Sequence, residues 1–156
     1  MGNIKILISC HKQSIVPDSE IMLPIEVGAD LRSRHIEGYI QDNTGDNISA
    51  KNKMYCELTA QYWAWKNLDA DYYGFFHYRR YLNFSENKYS LDSWQNITEE
   101  RLNDTCLNKY NLNDDCIRNL VETYDLVLSE EKNVAKMLDR NASVYEQYKN
   151  GRSLNI

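Results

Sequence analysis

"IKILIS", residues 4–9, is a short and nearly continuous apolar run that gives way to small polar residues. A strand covered by helices on both faces needs apolar side chains at successive positions, so the run fits a central parallel strand. The next residues, "CHK" at 10–12, then belong at the carboxyl edge of a sheet. A second short run, "YYGFFHY" at 72–78, is rich in aromatics and also predicts a strand. Between them lie a dense turn cluster, "DNTGDNIS" at 42–49, and "KMYCELTAQYWAWKN". Asn52 reads as the N-cap of a helix over about 53–67. Strand, helix and strand in this order are a βαβ signature.

Outward from this unit the pattern continues in the same class. The thirty or so residues after the first strand hold Pro17, Pro24 and Gly28 and predict a long loop, with a short strand at 24–27. Beyond Leu82 the spacing predicts helices within 98–110 and 113–124, a third buried strand at 124–129 ("YDLVLS"), and another helix within 133–150. The expectation is an α/β sandwich around three or more parallel strands. On the 53–67 helix, Tyr55, Leu58, Tyr62 and Trp65 fall on one stripe with Thr59 and Trp63 beside it. Such a stripe is expected to be core, not a stacking platform.

The chain has 156 residues, enough for one domain with a real hydrophobic core, and its 42% hydrophobic and 26% charged residues fit a soluble globular protein. A net charge of −5 opposes a general nucleic-acid binder, whose affinity rests on a basic surface. Any anion site is therefore a local pocket. The N-terminal apolar run is too short for a signal sequence or a membrane span, and Ile6 stands where a myristoylation signal needs Ser or Thr, so a cytosolic chain is expected. Cys10, Cys56, Cys106 and Cys116 form no CxxC pair and are expected as free thiols, with no zinc site. The Asn-x-Ser/Thr sequons at Asn47, Asn83, Asn96, Asn103 and Asn141 carry no meaning without secretion.

Three polar clusters are expected at strand ends or helix starts: "SCHK", "DNTGDNIS" and "HYRRY" at 77–81. Ligands bind outside the carboxyl ends of strands in open α/β sheets, so their convergence would make a pocket. Cys10 and His11 point to opposite faces of a strand and cannot form a nucleophile and base pair there. "DNTGDNIS" contains Asp42 and Asp46 but lacks the closing glutamate of a calcium loop, and residue types alone favour a plain turn. If strand alternation persists through "HYRRY", His77 and Arg79 share one face while Tyr78 and Arg80 share the other. One guanidinium is then covered and needs an anion, either Glu57 or Asp46 within the chain or a ligand phosphate.

Taken together, "ILISCHK", "PIEVGA", "TGDNIS", "YCELT", "YWAWKN" and "HYRRYL" in this order resemble a bacterial family of capsular and exopolysaccharide biosynthesis proteins. That family was long catalogued as a domain of unknown function and is grouped with GT-A-type glycosyltransferases. The resemblance covers about residues 4–149. It implies a Rossmann-like GT-A sandwich with a mostly parallel central sheet, and transfer of a sugar, of the hexosyltransferase type, from a nucleotide-sugar donor to a growing capsular, exopolysaccharide or lipopolysaccharide glycan. The acceptor would be lipid-linked, at the inner face of the membrane, with at most peripheral membrane association and no nucleic-acid partner.

The resemblance implies that Ser9, His11 and Lys12 meet the nucleoside and that Asp46, Asn47, Ser49 and Asn52 position sugar or ribose hydroxyls. The sequence departs from the GT-A pattern where an acidic DxD pair would hold a divalent metal, and "HYRRY" stands there. His77, Arg79 and Arg80, assisted by Lys12 or Lys66, are expected to take over part of that electrostatic task, with Glu57 orienting an arginine; no cofactor is predicted, and a divalent metal is the alternative. A second departure lies at the C-terminus, where "YEQYKN" leads into "GRSLNI", a non-matching tail at 151–156. Residues 1–150 then read as a donor-binding domain, incomplete at its C-terminal side, with an exposed sheet edge that predicts self-association. No residue is nominated as catalytic base. The alternative is a truncated, non-catalytic module that binds a nucleotide or phosphorylated ligand.

Overall fold

The computed structural model describes residues 2–132. Four strands, β1 (Ile4–Cys10), β2 (Met22–Glu26), β3 (Ile40–Gln41) and β4 (Tyr72–His77), form one sheet in the order β3-β2-β1-β4. Every neighbouring pair is parallel, with Ile6 opposite Met22 on one side and Gly74 on the other. The strands expected at 4–9, 24–27 and 72–78 are present; β3 is two residues long and leaves no pattern to read. Pro24 is tolerated inside β2 because β3 pairs only with Ile25 and Glu26, so no ladder bond is asked of position 24 on that side.

β1 is buried on both faces, as its composition requires. Ile4, Ile6, Ile8 and Cys10 pack with Met22, Phe76, Phe84, Leu112 and Ile117 on one face. Leu7 packs with Ile25, Val27, Ala60, Trp63 and Ala64 on the other. Each fully buried Leu or Ile of this set contributes about 1.5–3 kcal/mol. The first face is covered by α3 (Asp104–Lys109) and α4 (Asp114–Val121), each capped by an asparagine: Asn103 accepts from the Cys106 N–H and Asn113 from the Cys116 N–H. The other face is covered by α2 (Leu58–Asn67). The result is a layered α/β sandwich about a parallel sheet.

The helix expected over 53–67 is broken. A 3₁₀ turn at Ser49–Lys51 runs into α1 (Asn52–Tyr55), and Cys56, at φ +48°, separates it from α2. Asn52 is no N-cap: its Nδ2 donates to the Cys56 carbonyl at 2.8 Å and to Thr59 Oγ1 at 3.0 Å, tying the two sides of the break together. The aromatic stripe faces outward, with Tyr55, Leu58 and Trp65 exposed, while Thr59, Ala60, Trp63 and Ala64 face the sheet. Two alanines let the helix backbone approach the strands closely, which the bulkier stripe would prevent, so size and not hydrophobicity chose the buried side.

The strand expected at 124–129 does not form. Leu126 and Leu128 are 71% and 72% exposed, and although Val127 packs against the first core, the run pairs with no strand. Apolar alternation without a ladder partner does not make a strand. The helix expected within 133–150 and the tail at 151–156 lie outside the described residues. By compactness the described residues divide into two units, the first running to residue 85 and taking in 101–127, the second holding 86–100 and the residues from 128. In the second, Asp92 accepts from the Trp94 and Asn96 backbone N–H groups and the Thr98 hydroxyl, and these bonds, Asn96 first, hold its carboxyl below the usual range.

Two buried carboxylates organise the carboxyl edge of the first unit. Glu26, at the end of β2, meets Arg32 Nε at 3.3 Å and His35 Nδ1 at 3.2 Å and accepts from the Ile36 N–H, which ties down the loop after the strand. Asp42 is completely buried just after β3. It accepts from the Gly28 and Ala29 N–H groups at 2.8 and 3.0 Å, from Thr59 Oγ1 at 2.6 Å, and from the Ser49 hydroxyl. Gly28 must be glycine at this junction, since its φ is +69° and a Cβ would stand 2.8 Å from the Asn52 side chain. Asp42→Ala strands four donors in the interior and is expected to cost about 3–5 kcal/mol in urea unfolding. A loss below about 1 kcal/mol would show that the hub is dispensable.

Candidate functional site

The strand order β3-β2-β1-β4 reverses direction beside β1: the chain winds outward through β2 and β3, then returns to the other side of β1 as β4. In open α/β sheets such a reversal opens a crevice at the carboxyl ends of the strands that flank it. Here those ends are Cys10 and His77, so "HK" at 11–12 and "YRR" at 78–80 stand on its two sides. The ladder persists one step further, the Tyr78 N–H donating to the Ser9 carbonyl at 3.1 Å.

β4 ends at His77, and the chain turns at once. The His77 N–H donates to the Arg80 carbonyl at 3.3 Å and the Arg80 N–H to the His77 carbonyl at 2.8 Å, closing a tight turn with Tyr78 and Arg79 at its tip. The alternation expected through "HYRRY" therefore stops, and both arginines are exposed. The need of a covered guanidinium for an anion does not arise. Glu57 does not orient an arginine either: its Oε1 lies 3.7 Å from His77 Nε2. The Arg79 N–H donates to His77 Nδ1 at 3.2 Å, which leaves the ring proton on Nε2, directed at Glu57.

His11 comes close to this turn, its ring 6.4 Å from that of His77 and 5.1 Å from Tyr78. Lys12 Nζ and Arg79 Cζ lie 5.7 and 5.1 Å from the Tyr78 ring centre. Burial is the main cause that lowers the His77 pKa, Glu57 opposes it, and Arg79, Arg80 and His11 add to it. Five residues of the expected site, His11, Lys12, His77, Arg79 and Arg80, thus share one cationic edge with Glu57 as its carboxylate. Ser9 lies inside the sheet, 2% exposed, and offers the edge its carbonyl and not its hydroxyl.

The turn cluster does not join them. Asp46 accepts from Tyr62 Oη and lies 4.0 Å from Lys66 Nζ, which rests 3.6 Å over the Trp65 ring at the last turn of α2. That end of the helix is about 13 Å from Glu57 at 1.5 Å per residue, at the other edge of the sheet. Asn47 bonds the Asn43 and Gly45 carbonyls and the Ser49 N–H, and the Ser49 hydroxyl is spent on Asp42. The plain turn reading accounts for these residues. Cys10 faces the core, where burial pushes its thiol up to about 11. Asp42 and Glu26 are buried and engaged, and among the described residues no three His, Cys, Asp or Glu side chains gather.

Sequence reasoning passed over Tyr78, the residue that His11, Lys12, His77 and Arg79 all approach; its signal was an aromatic between a histidine and an arginine in a turn.

Residues 5–156 match a protein family described as a domain of unknown function, DUF4422. Among solved structures, that of the WbbM bifunctional glycosyltransferase in its apo form is similar, with a TM-score of 0.78 and 40% identity over 89% of this chain. The chain spans 26% of that protein's length. No curated protein matches it.

The lowered His77 pKa has a defined sign. The unfolded state takes up the proton more readily, so the histidine's contribution to stability is present above its ordinary value of 6.5 and is lost as pH falls through the lower folded value. An NMR titration of the His77 ring is expected to give a midpoint below 6.5, and Glu57→Gln, which removes the one opposing charge, is expected to lower it further. A midpoint that rises in that variant would refute the assignment.

Proposed function

The chain belongs to the DUF4422 family, and we propose that it binds the nucleotide-sugar donor of a GT-A-type glycosyltransferase, with the donor diphosphate at the crevice between β1 and β4. The observation that carries this reading is the gathering of His11, Lys12, His77, Arg79 and Arg80 at the point where the strand order reverses. The similarity to the WbbM glycosyltransferase supports it.

In sugar transfer the bond between the anomeric carbon and the diphosphate oxygen breaks, and negative charge develops on the departing nucleoside diphosphate. Fixed cations and N–H donors aimed at that oxygen stabilise the transition state more than the ground state. The arginines offer planar forks suited to phosphate and Lys12 an ammonium, while neutral His77, its Nε2–H turned to Glu57 and its Nδ1 accepting from the Arg79 amide, holds the turn that presents them. The acceptor, on this reading, is a lipid-linked capsular, exopolysaccharide or lipopolysaccharide glycan met at the cytoplasmic face of the membrane. No described helix is long and apolar enough to cross one.

Calorimetric titration with UDP, GDP and ADP tests the proposal. At least one diphosphate is expected to bind, and Arg79→Lys or Arg80→Lys to weaken it about tenfold, since lysine keeps the charge and loses the bidentate fork. Equal affinity in both variants would sink it.

A further inference from the structure

Like charges crowded on one edge repel, and nothing in Lys12 or Arg79 alone keeps two long, solvated side chains pointing at a common place. The structure supplies a common partner. Tyr78 is fixed at the first step beyond β4 by its N–H bond to Ser9, and its half-buried ring packs against the first core. The His77 ring lies 4.4 Å from it, the His11 ring meets it nearly at right angles (78°) at 5.1 Å, and the Lys12 and Arg79 charges sit within cation–π range. These four groups come from the ends of two different strands.

We propose that Tyr78 is a positioning residue, the ring on which the cations of this edge are gathered before any anion arrives. The inference rests on the reading of the edge as a diphosphate site. The negative π face offsets part of the repulsion between Lys12 and Arg79 and restricts both side chains, so an incoming diphosphate meets donors already ordered. With its ring so surrounded, Tyr78 is a support and not a platform for the base of the nucleotide.

The test measures inorganic pyrophosphate binding to the whole chain by calorimetry. Tyr78→Phe keeps the ring and is expected to bind as the parent does; Tyr78→Leu is expected to lose about tenfold, the combined effect of two exposed cation–π contacts. Since Tyr78→Leu could also disturb packing, the deciding series replaces Tyr78 with phenylalanine carrying one, two and three fluorines. Fluorination drains the π face with little change of shape, so affinity is expected to fall stepwise. Pyrophosphate binding that stays flat across the series overturns the role of Tyr78 and leaves the diphosphate site standing. A parent chain that binds no pyrophosphate overturns both.

Discussion

β1 is hydrogen-bonded along both edges and buried on both faces, and the rest of the first unit is arranged to satisfy that one strand. Because β2 and β3 occupy one side of it in sequence, β4 has only the other side left, and the reversal beside β1 is the result. The reversal of strand order beside β1, with two strand ends brought together there, is thus a consequence of burying "IKILISC", not a feature added to the fold. The cationic side chains sit in the first residues after each flanking strand, where side chains leave the ladder while the backbone is still held by it.

The second constraint is the position of α2. Asp42 draws together the Gly28 turn, the 3₁₀ turn at Ser49–Lys51 and the first turn of α2 through Thr59, and the break at Cys56 lets the helix set its alanines against the sheet. With the helix start held at the carboxyl edge, the half-exposed Glu57 carboxylate comes within 3.7 Å of His77. The same placement carries Lys66 and Asp46 to the far edge. One buried carboxylate therefore sorts the polar residues of 42–66 into those near the crevice and those remote from it.

Strand positions and the convergence of "CHK" with "HYRRY" were legible because both derive from local pattern and a general rule of sheet topology. The helices expected within 98–110 and 113–124 form as α3 and α4, and the structure adds what was not read from the sequence, their caps at Asn103 and Asn113. The illegible parts depended on distant partners. Whether Leu126 and Leu128 enter a strand turns on a neighbour that the sequence cannot name. Which side of α2 is buried turns on how close the helix must lie, and hydrophobicity alone pointed to the wrong stripe. The arginines were misplaced by carrying strand alternation three residues past the end of the strand, to Arg80, where the His77–Arg80 turn had already ended it.

That misplacement changes the electrostatic argument itself. A guanidinium buried without an anion costs several kcal/mol, so an arginine inside a sheet would call for a permanent internal partner. Exposed arginines in a turn, Arg79 at its tip and Arg80 closing it, stay hydrated and cost little when no anion is near, yet their backbone is held by the bonds between His77 and Arg80. A donor site that takes up a nucleotide sugar and releases a nucleoside diphosphate in each cycle has to tolerate both conditions. On the proposed reading, exposure of Arg79 and Arg80 is therefore what the chemistry requires, and the burial is reserved for His77, whose neutral ring can bear it.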